Sequence, residues 1–213
     1  WSSDVCSSDL GPTIWPLDKD AFYQVVHEGA AMQRGNVIHK LAEDLVKLPP
    51  ARGALKLPPE LANVKEEILH LREHGAIVEQ AWGFTAEWQW TKRASWFGDD
   101  VWLRAKADAV VIYEDKTALL VDWKTGKKYA ANEEQVELFS LACFMRFPEI
   151  TEVDTRLWYT DAPKHDNEIQ RVYTKADAAR IQKDWSKKVV PMFVDRKFPP
   201  KANDKCRSEE HTS

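Results

Sequence analysis

Apolar and polar positions alternate most cleanly between residues 77 and 124. Trp82, Phe84, Ala86, Trp88 and Trp90 share one side of an extended chain, and Glu79, Ala81, Thr85, Glu87 and Gln89 share the other. This predicts a strand over 77–90. Gly98-Asp99-Asp100 has turn chemistry, 101–113 reads as a second strand, Glu114-Asp115-Lys116 as a tight turn, and 117–124 as a third strand. Together these predict an antiparallel meander. On either side the period becomes helical. Ile38, Leu41, Ala42 and Leu45 form the stripe of a helix over 30–47, whereas 11–28 is only weakly patterned. Two Leu-Pro-Pro triplets, at 48–50 and 57–59, mark a loop, and a charged helix follows over 62–73, ending near Gly75. A helix over 132–147 is stopped by Pro148. Strands near 153–160 and 168–173 follow, and a last helix spans 175–194. The order predicts an α/β fold: a central mixed sheet of about five strands flanked by helices.

Composition narrows the classes. A chain of 213 residues with 44% hydrophobic and 30% charged residues suits one globular domain. No apolar run approaches the ~20 residues of a membrane span, so no membrane partner is expected. Three cysteines are too few for a disulfide framework, which favours a reducing, cytoplasmic setting. The two ends change the arithmetic. WSSDVCSSDL (1–10) and RSEEHTS (207–213) are what the two strands of one sequencing adaptor yield on translation. The native part is therefore expected to be 11–206, a single domain cut short at both ends. Without Asp4, Asp9, Arg207, Glu209 and Glu210, 29 basic and 30 acidic side chains remain, net −1, with Cys143 and Cys206. Near-neutral net charge leaves room for a locally charged cleft. The remaining tryptophans predict a Trp-rich core.

The candidate chemistry lies on the meander. Trp102, Arg104, Lys106 and Asp108 share a face of the second strand, and Asp122 and Lys124 share a face of the third, with Trp123 opposite. If the strands pair across 114–116, residues whose numbers sum to about 230 face each other and Asp108 lies near Asp122. Two carboxylates and a lysine at one strand end form a set that phosphodiester hydrolysis needs. Hard oxygens hold Mg²⁺, the metal polarises the phosphoryl oxygen, and an ammonium offsets developing charge. Asp122 ends the apolar run Ala118-Leu119-Leu120-Val121, and Thr125-Gly126-Lys127-Lys128 adds a basic loop suited to a phosphate backbone. Gly35, His39 and Glu43 lie on one helical stripe beside the apolar one, and Gly35 permits close backbone approach. Gln135 and Phe139 form an i, i+4 pair on the helix after the third strand.

The arrangement GNVIHK, KADAVV, LLVDWKTGK and QVELFSLAC resembles the PD-(D/E)xK nuclease superfamily over about 30–206. It resembles in particular the RecB-like branch, which includes many phage-encoded exonucleases and the CRISPR adaptation nucleases. The resemblance implies a restriction-endonuclease-like core and a metal-dependent DNA nuclease, an exonuclease acting in recombination, repair or end processing. It implies His39 as a metal ligand, Asp108 as the first motif carboxylate, and Asp122 and Lys124 as the D/E-x-K pair. The Trp123 backbone carbonyl becomes a further ligand, with Mg²⁺ or Mn²⁺ as the ion and DNA as the partner. Gln135 corresponds to the glutamine of a Q-x-x-x-Y motif whose tyrosine is Phe139 here; packing survives that change and a hydroxyl is lost. Gln135, Arg104, Lys127 and Lys128 are expected to meet the substrate, and Glu79 is a further acidic candidate. Branch members often continue into closely spaced cysteines, which in some join an N-terminal cysteine to hold an iron–sulfur cluster. FPPKANDKC stops at Cys206, so a cluster belongs only to an untruncated parent. The competing readings are a DNA-binding accessory protein without cleavage activity on the same fold, and a protein-interaction domain.

Overall fold

The alternating segment becomes the first half of a five-stranded mixed sheet in the computed structural model, which describes residues 19–48, 57–91 and 98–194. Strands β1 (Ile77–Phe84), β2 (Leu103–Ile112) and β3 (Thr117–Lys124) are successive antiparallel neighbours. Helix α3 (Ala131–Arg146) carries the chain over the sheet to β4 (Glu152–Tyr159), which lies parallel to β3. A parallel neighbour requires such a crossover. Strand β5 (Glu168–Thr174) closes the order β1-β2-β3-β4-β5 antiparallel to β4. The remaining helices are α1 (Lys19–Lys47), α2 (Lys65–Glu73) and α4 (Ala178–Val194). The α/β class and the helix-flanked mixed sheet are as the sequence leads one to expect.

Contacts divide the chain into two units, Trp1–Arg34 with Pro199–Ser213, and Gly35–Phe198. Of the first unit, only the N-terminal part of α1 is described. The sheet and every candidate site residue belong to the second. Its core has two main layers. Leu103, Ala105, Ala107 and Leu120 meet Phe139 and Phe144 of α3 and Ile181 of α4 on one face. Val111, Leu119, Val121 and Trp123 meet Ile38 and Ala42 of α1 and Ile68 and Leu71 of α2 on the other. Trp82, Trp88, Trp123 and Trp158 are buried, so the core is rich in tryptophan.

Two expectations on element limits need correction. Helix α1 begins at Lys19, inside the segment whose weak pattern predicted nothing. Strand β1 ends at Phe84, not near residue 90. The Trp88 N–H bonds Thr85 O, Trp88 has φ 62°, and Trp90 returns as an isolated bridge to Phe84. The periodicity missed this reversal because Trp88 and Trp90 still pack onto the cluster that holds Trp82 and Phe84. Ends 1–10 and 207–213, the native limits at 11 and 206, and Cys206 lie outside the described residues.

Candidate active site

The β2–β3 register pairs Ala109 with Val121, so the next positions, Asp108 and Asp122, fall opposite each other, as the turn at 114–116 led one to expect. Both aspartates are 6% exposed, and Asp122 follows directly on the stretch of β3 that is apolar up to Val121. They are held differently. Asp108 Oδ2 accepts the backbone N–H of Trp123 at 2.7 Å, so a side chain supplies the acceptor where the β2–β3 ladder ends. The imidazole of His39 reaches Asp108 from α1, with Nδ1 3.2 Å from Oδ1 and 3.1 Å from Oδ2. Asp122 turns toward α3. Its Oδ1 accepts Gln135 Nε2 at 3.4 Å, and its Oδ2 lies 2.7 Å from Lys124 Nζ. Trp123, between them, is buried on the α1 and α2 side.

Glycine and backbone strain set the frame. A Cβ on Gly35 would lie 3.4 Å from Thr125 Oγ1, so α1 passes close to the loop after β3 one helical turn before His39. Across β1 and β2, the pairs Val78–Ala109 and Gln80–Ala107 bracket Glu79 opposite Asp108. Glu79 has φ 55°, a left-handed conformation that is strained for a side-chain-bearing residue, and its carboxylate pairs with Lys106. Alternation on β2 changes phase here: Ala105 and Ala107 join the α3 layer, Ala109 and Val111 the α1 layer.

Electrostatics tie these groups together. Burial pushes the Asp122 carboxyl up to about 6, with Lys124 pulling it down and Asp108 pushing it up. Burial and, to a lesser degree, the Lys124 charge lower the His39 imidazole. The Asp108 hydrogen bond and the charges of Asp108 and Asp122 outweigh burial and leave it raised.

The other expected site residues are placed as follows. Phe139 is buried in the α3 layer. Glu43 pairs with Lys40 and Lys47 along α1. Lys127 is exposed in the loop after β3. Lys128 Nζ pairs with Asp166 Oδ1 at 2.5 Å. Arg104 is exposed on β2 opposite Gly83, roughly 13 Å along the strand from Asp108. Sequence reasoning missed Tyr159, which ends β4 beside Lys124, because the parallel register that pairs them has no local signature.

Two carboxylates and an imidazole suit a hard divalent cation. One buried oxygen, Asp122 Oδ2, touches Lys124 only as an ion pair and accepts no hydrogen bond of ordinary geometry, so the donor set fits such an ion. Among the described residues no group of three or more His, Cys, Asp or Glu side chains is arranged to hold a metal ion as it stands. Asp108 is engaged by His39 and Trp123, and Asp122 by Lys124 and Gln135. A separate cavity of about 530 Å³ lies against α2. Of its charged groups, Glu66 pairs with Lys164 and Asp154 with Arg156, and none of the candidate residues lines it. Among the described residues no helix is long and apolar enough to cross a membrane.

The sequence model of the PD-(D/E)XK nuclease superfamily matches residues 19–208. No curated protein matches the chain. A solved structure titled "Crystal structure of SSO0001" is similar at 11% identity and a TM-score of 0.33, covering 64% of this chain and 59% of that one. The chain thus spans under two thirds of that protein's length.

Proposed function

The chain belongs to the PD-(D/E)XK nuclease superfamily, and from that premise we propose a Mg²⁺- or Mn²⁺-dependent deoxyribonuclease of the RecB-like, phage-type branch. It acts as an exonuclease on DNA in recombination, repair or end processing. One observation carries the reading: the His39–Asp108 pair and the Asp122–Lys124 pair meet at the end of β3. His39, Asp108, Asp122 and the Trp123 carbonyl are the groups that would hold the cation. A divalent cation supplies Lewis-acid polarisation of the phosphoryl oxygen and makes a water more acidic. The protein's own groups do the rest. The Trp123 N–H fixes the Asp108 carboxylate. Lys124 is the cation nearest the buried aspartate, and its ammonium stabilises the negative charge that grows on the phosphate in the transition state. Gln135 steadies Asp122 from α3. Arg104, Lys127 and Lys128 meet the DNA backbone, Lys128 exchanging Asp166 for phosphate. Glu79 adds negative charge beside Asp108, countered by Lys106.

The test is cleavage of linear and of closed circular DNA, each in Mg²⁺, Mn²⁺ and EDTA. Degradation of linear DNA alone, abolished by EDTA, supports an exonuclease. Cutting of the circle moves the reading to an endonuclease. DNA binding without cleavage in either metal overturns the enzymatic reading in favour of an accessory protein on the same fold.

A further inference from the structure

Tyr159 ends β4 as the parallel-register partner of Lys124, on the face of the sheet that α3 covers. The residue is 1% exposed. Its ring packs with Val136 of α3, Leu157 and Ile169, and the Lys128 ammonium lies 5.5 Å from the ring centre. Packing accounts for the ring but not for the hydroxyl. The Oη atom is buried and makes no hydrogen bond. Phenylalanine would fill the same space without a desolvated donor, so the hydroxyl weakens the fold unless another state uses it. Burial, followed by the charges of Asp122 and Glu133, pushes the phenol up to about 12. The group is therefore a donor in need of an acceptor.

Asp122 has the complementary defect. It lies on the same face of β3, two residues before Lys124, and its buried Oδ2 accepts no hydrogen bond of ordinary geometry. Diagonal neighbours on adjacent strands are about 7–8 Å apart, within reach of an aromatic side chain. The Asp122 counter-charge is Lys124, the group that must turn to the phosphate if it is to act there.

We infer that Tyr159 is a positioning residue for Asp122: when Lys124 leaves Asp122, displaced by the cation or drawn to the substrate, the Tyr159 hydroxyl donates to the Asp122 carboxylate in its place. One unpaired donor and one unpaired acceptor then satisfy each other, and Asp122 keeps its orientation without its lysine. This rests on the reading of Asp122 as a cation ligand. Groups that hold a ligating carboxylate from behind typically change metal affinity by about 10–100-fold when removed.

The experiment compares wild type, Y159F and D122N in three measurements: the urea midpoint in EDTA, Mn²⁺ affinity by calorimetry without DNA, and cleavage of linear DNA across Mn²⁺ concentrations. Y159F is expected to be as stable as wild type or more so in EDTA, to bind Mn²⁺ about 10–100-fold more weakly, and to lose cleavage mainly at limiting Mn²⁺. A Y159F protein with wild-type Mn²⁺ affinity overturns the inference. So does one less stable than wild type in EDTA, because the hydroxyl then serves the fold. D122N separates the two levels. If D122N keeps wild-type Mn²⁺ affinity, the reading of Asp122 itself fails. If D122N loses it and Y159F does not, only the role of Tyr159 falls.

Discussion

Lys124 answers to two neighbours, a buried carboxylate beside it and the substrate it is proposed to meet. Its side chain is 25% exposed against 9% for that of Asp122. Lys124→Ala therefore does more than delete a surface charge. It strips Asp122 of its nearest cation and raises a carboxyl already at about 6. Lys124→Ala is expected to fold and bind DNA, and to lose turnover by a factor on the order of 10²–10³ at saturating Mg²⁺. Asp122→Ala is expected to lose cation affinity and cleavage together. Single-turnover cleavage beside metal titration checks both, and wild-type turnover in Lys124→Ala would sink the catalytic assignment. The raised Asp122 also sets a pH dependence. Between its ordinary value near 3.8 and about 6, the folded carboxyl keeps a proton that the unfolded one has lost. Metal-free stability from this group is thus highest at low pH and declines through that window. The raised His39 acts in the same direction: its contribution is complete below 6.5 and is lost as pH rises through its folded value. Carboxylates lowered by surface partners, such as Asp115 and Asp177, run the opposite way, so the readable quantity is a difference. The urea midpoint of D122N minus that of wild type, in EDTA, should grow from pH 4 to pH 6.5 and then level off. A flat difference would show that Asp122 ionises normally. The Asp122-x-Lys124 triplet was legible because period two puts both on one face at the end of an apolar run. The Trp123 N–H on Asp108 and the neighbouring Tyr159 hydroxyl were not, because they depend on how strands distant in sequence dock atom by atom.

At the level of elements, α1 and β3 approach each other through Gly35. A Cβ there would meet Thr125 Oγ1 at 3.4 Å, an ordinary contact, while alanine gains roughly 1 kcal/mol over glycine inside a helix. Gly35→Ala should therefore hold or raise stability, by at most about 1 kcal/mol, and keep cleavage. Gly35→Leu extends past Cβ into the β3 loop, displaces the turn that carries His39, and should weaken Mn²⁺ binding even in a folded protein. Circular dichroism for folding and calorimetry for the ion test the pair, and unaltered ion binding in Gly35→Leu would show that the helix has room to spare. The strands were legible to different degrees. The limits of β3 follow from residues 117–124, because an apolar run between a tight turn and charge leaves little choice of register. The end of β1 was hidden because two tryptophans kept the alternating pattern through a turn that only backbone hydrogen bonds reveal. The placement of β4 beside β3 was hidden for another reason: a parallel neighbour is chosen by the crossover helix and not by any hairpin the sequence spells out.

For the whole molecule, the sheet is a partition, and the candidate site straddles its edge at the end of β3. His39 reaches Asp108 from the α1 face, and Gln135 reaches Asp122 from the α3 face. The two halves meet only where the β2–β3 ladder stops. In the absence of an ion, two buried carboxylates face each other there, tempered by His39 and Lys124. A cation that binds the folded chain and not the unfolded one stabilises it by mass action, about 2.7 kcal/mol at a hundred times its dissociation constant. For a chain of 213 residues, where 1 kcal/mol moves the melting temperature by about 2–4 °C, that amounts to a rise of roughly 5–11 °C. The same argument says which variants lose the rise. Asp122→Ala should abolish it, since the ion then has donors on one face only. His39→Ala should reduce it, leaving the carboxylates in place. Gln135→Ala should also reduce it, because losing an amide that steadies Asp122 weakens ion binding by about 10–100-fold. Differential scanning calorimetry in EDTA and in saturating Mn²⁺ for the four proteins tests the order. An equal rise in wild type and Asp122→Ala would mean that the ion stabilises the fold from somewhere else, and the assignment of the β3 end as the cation site would fall.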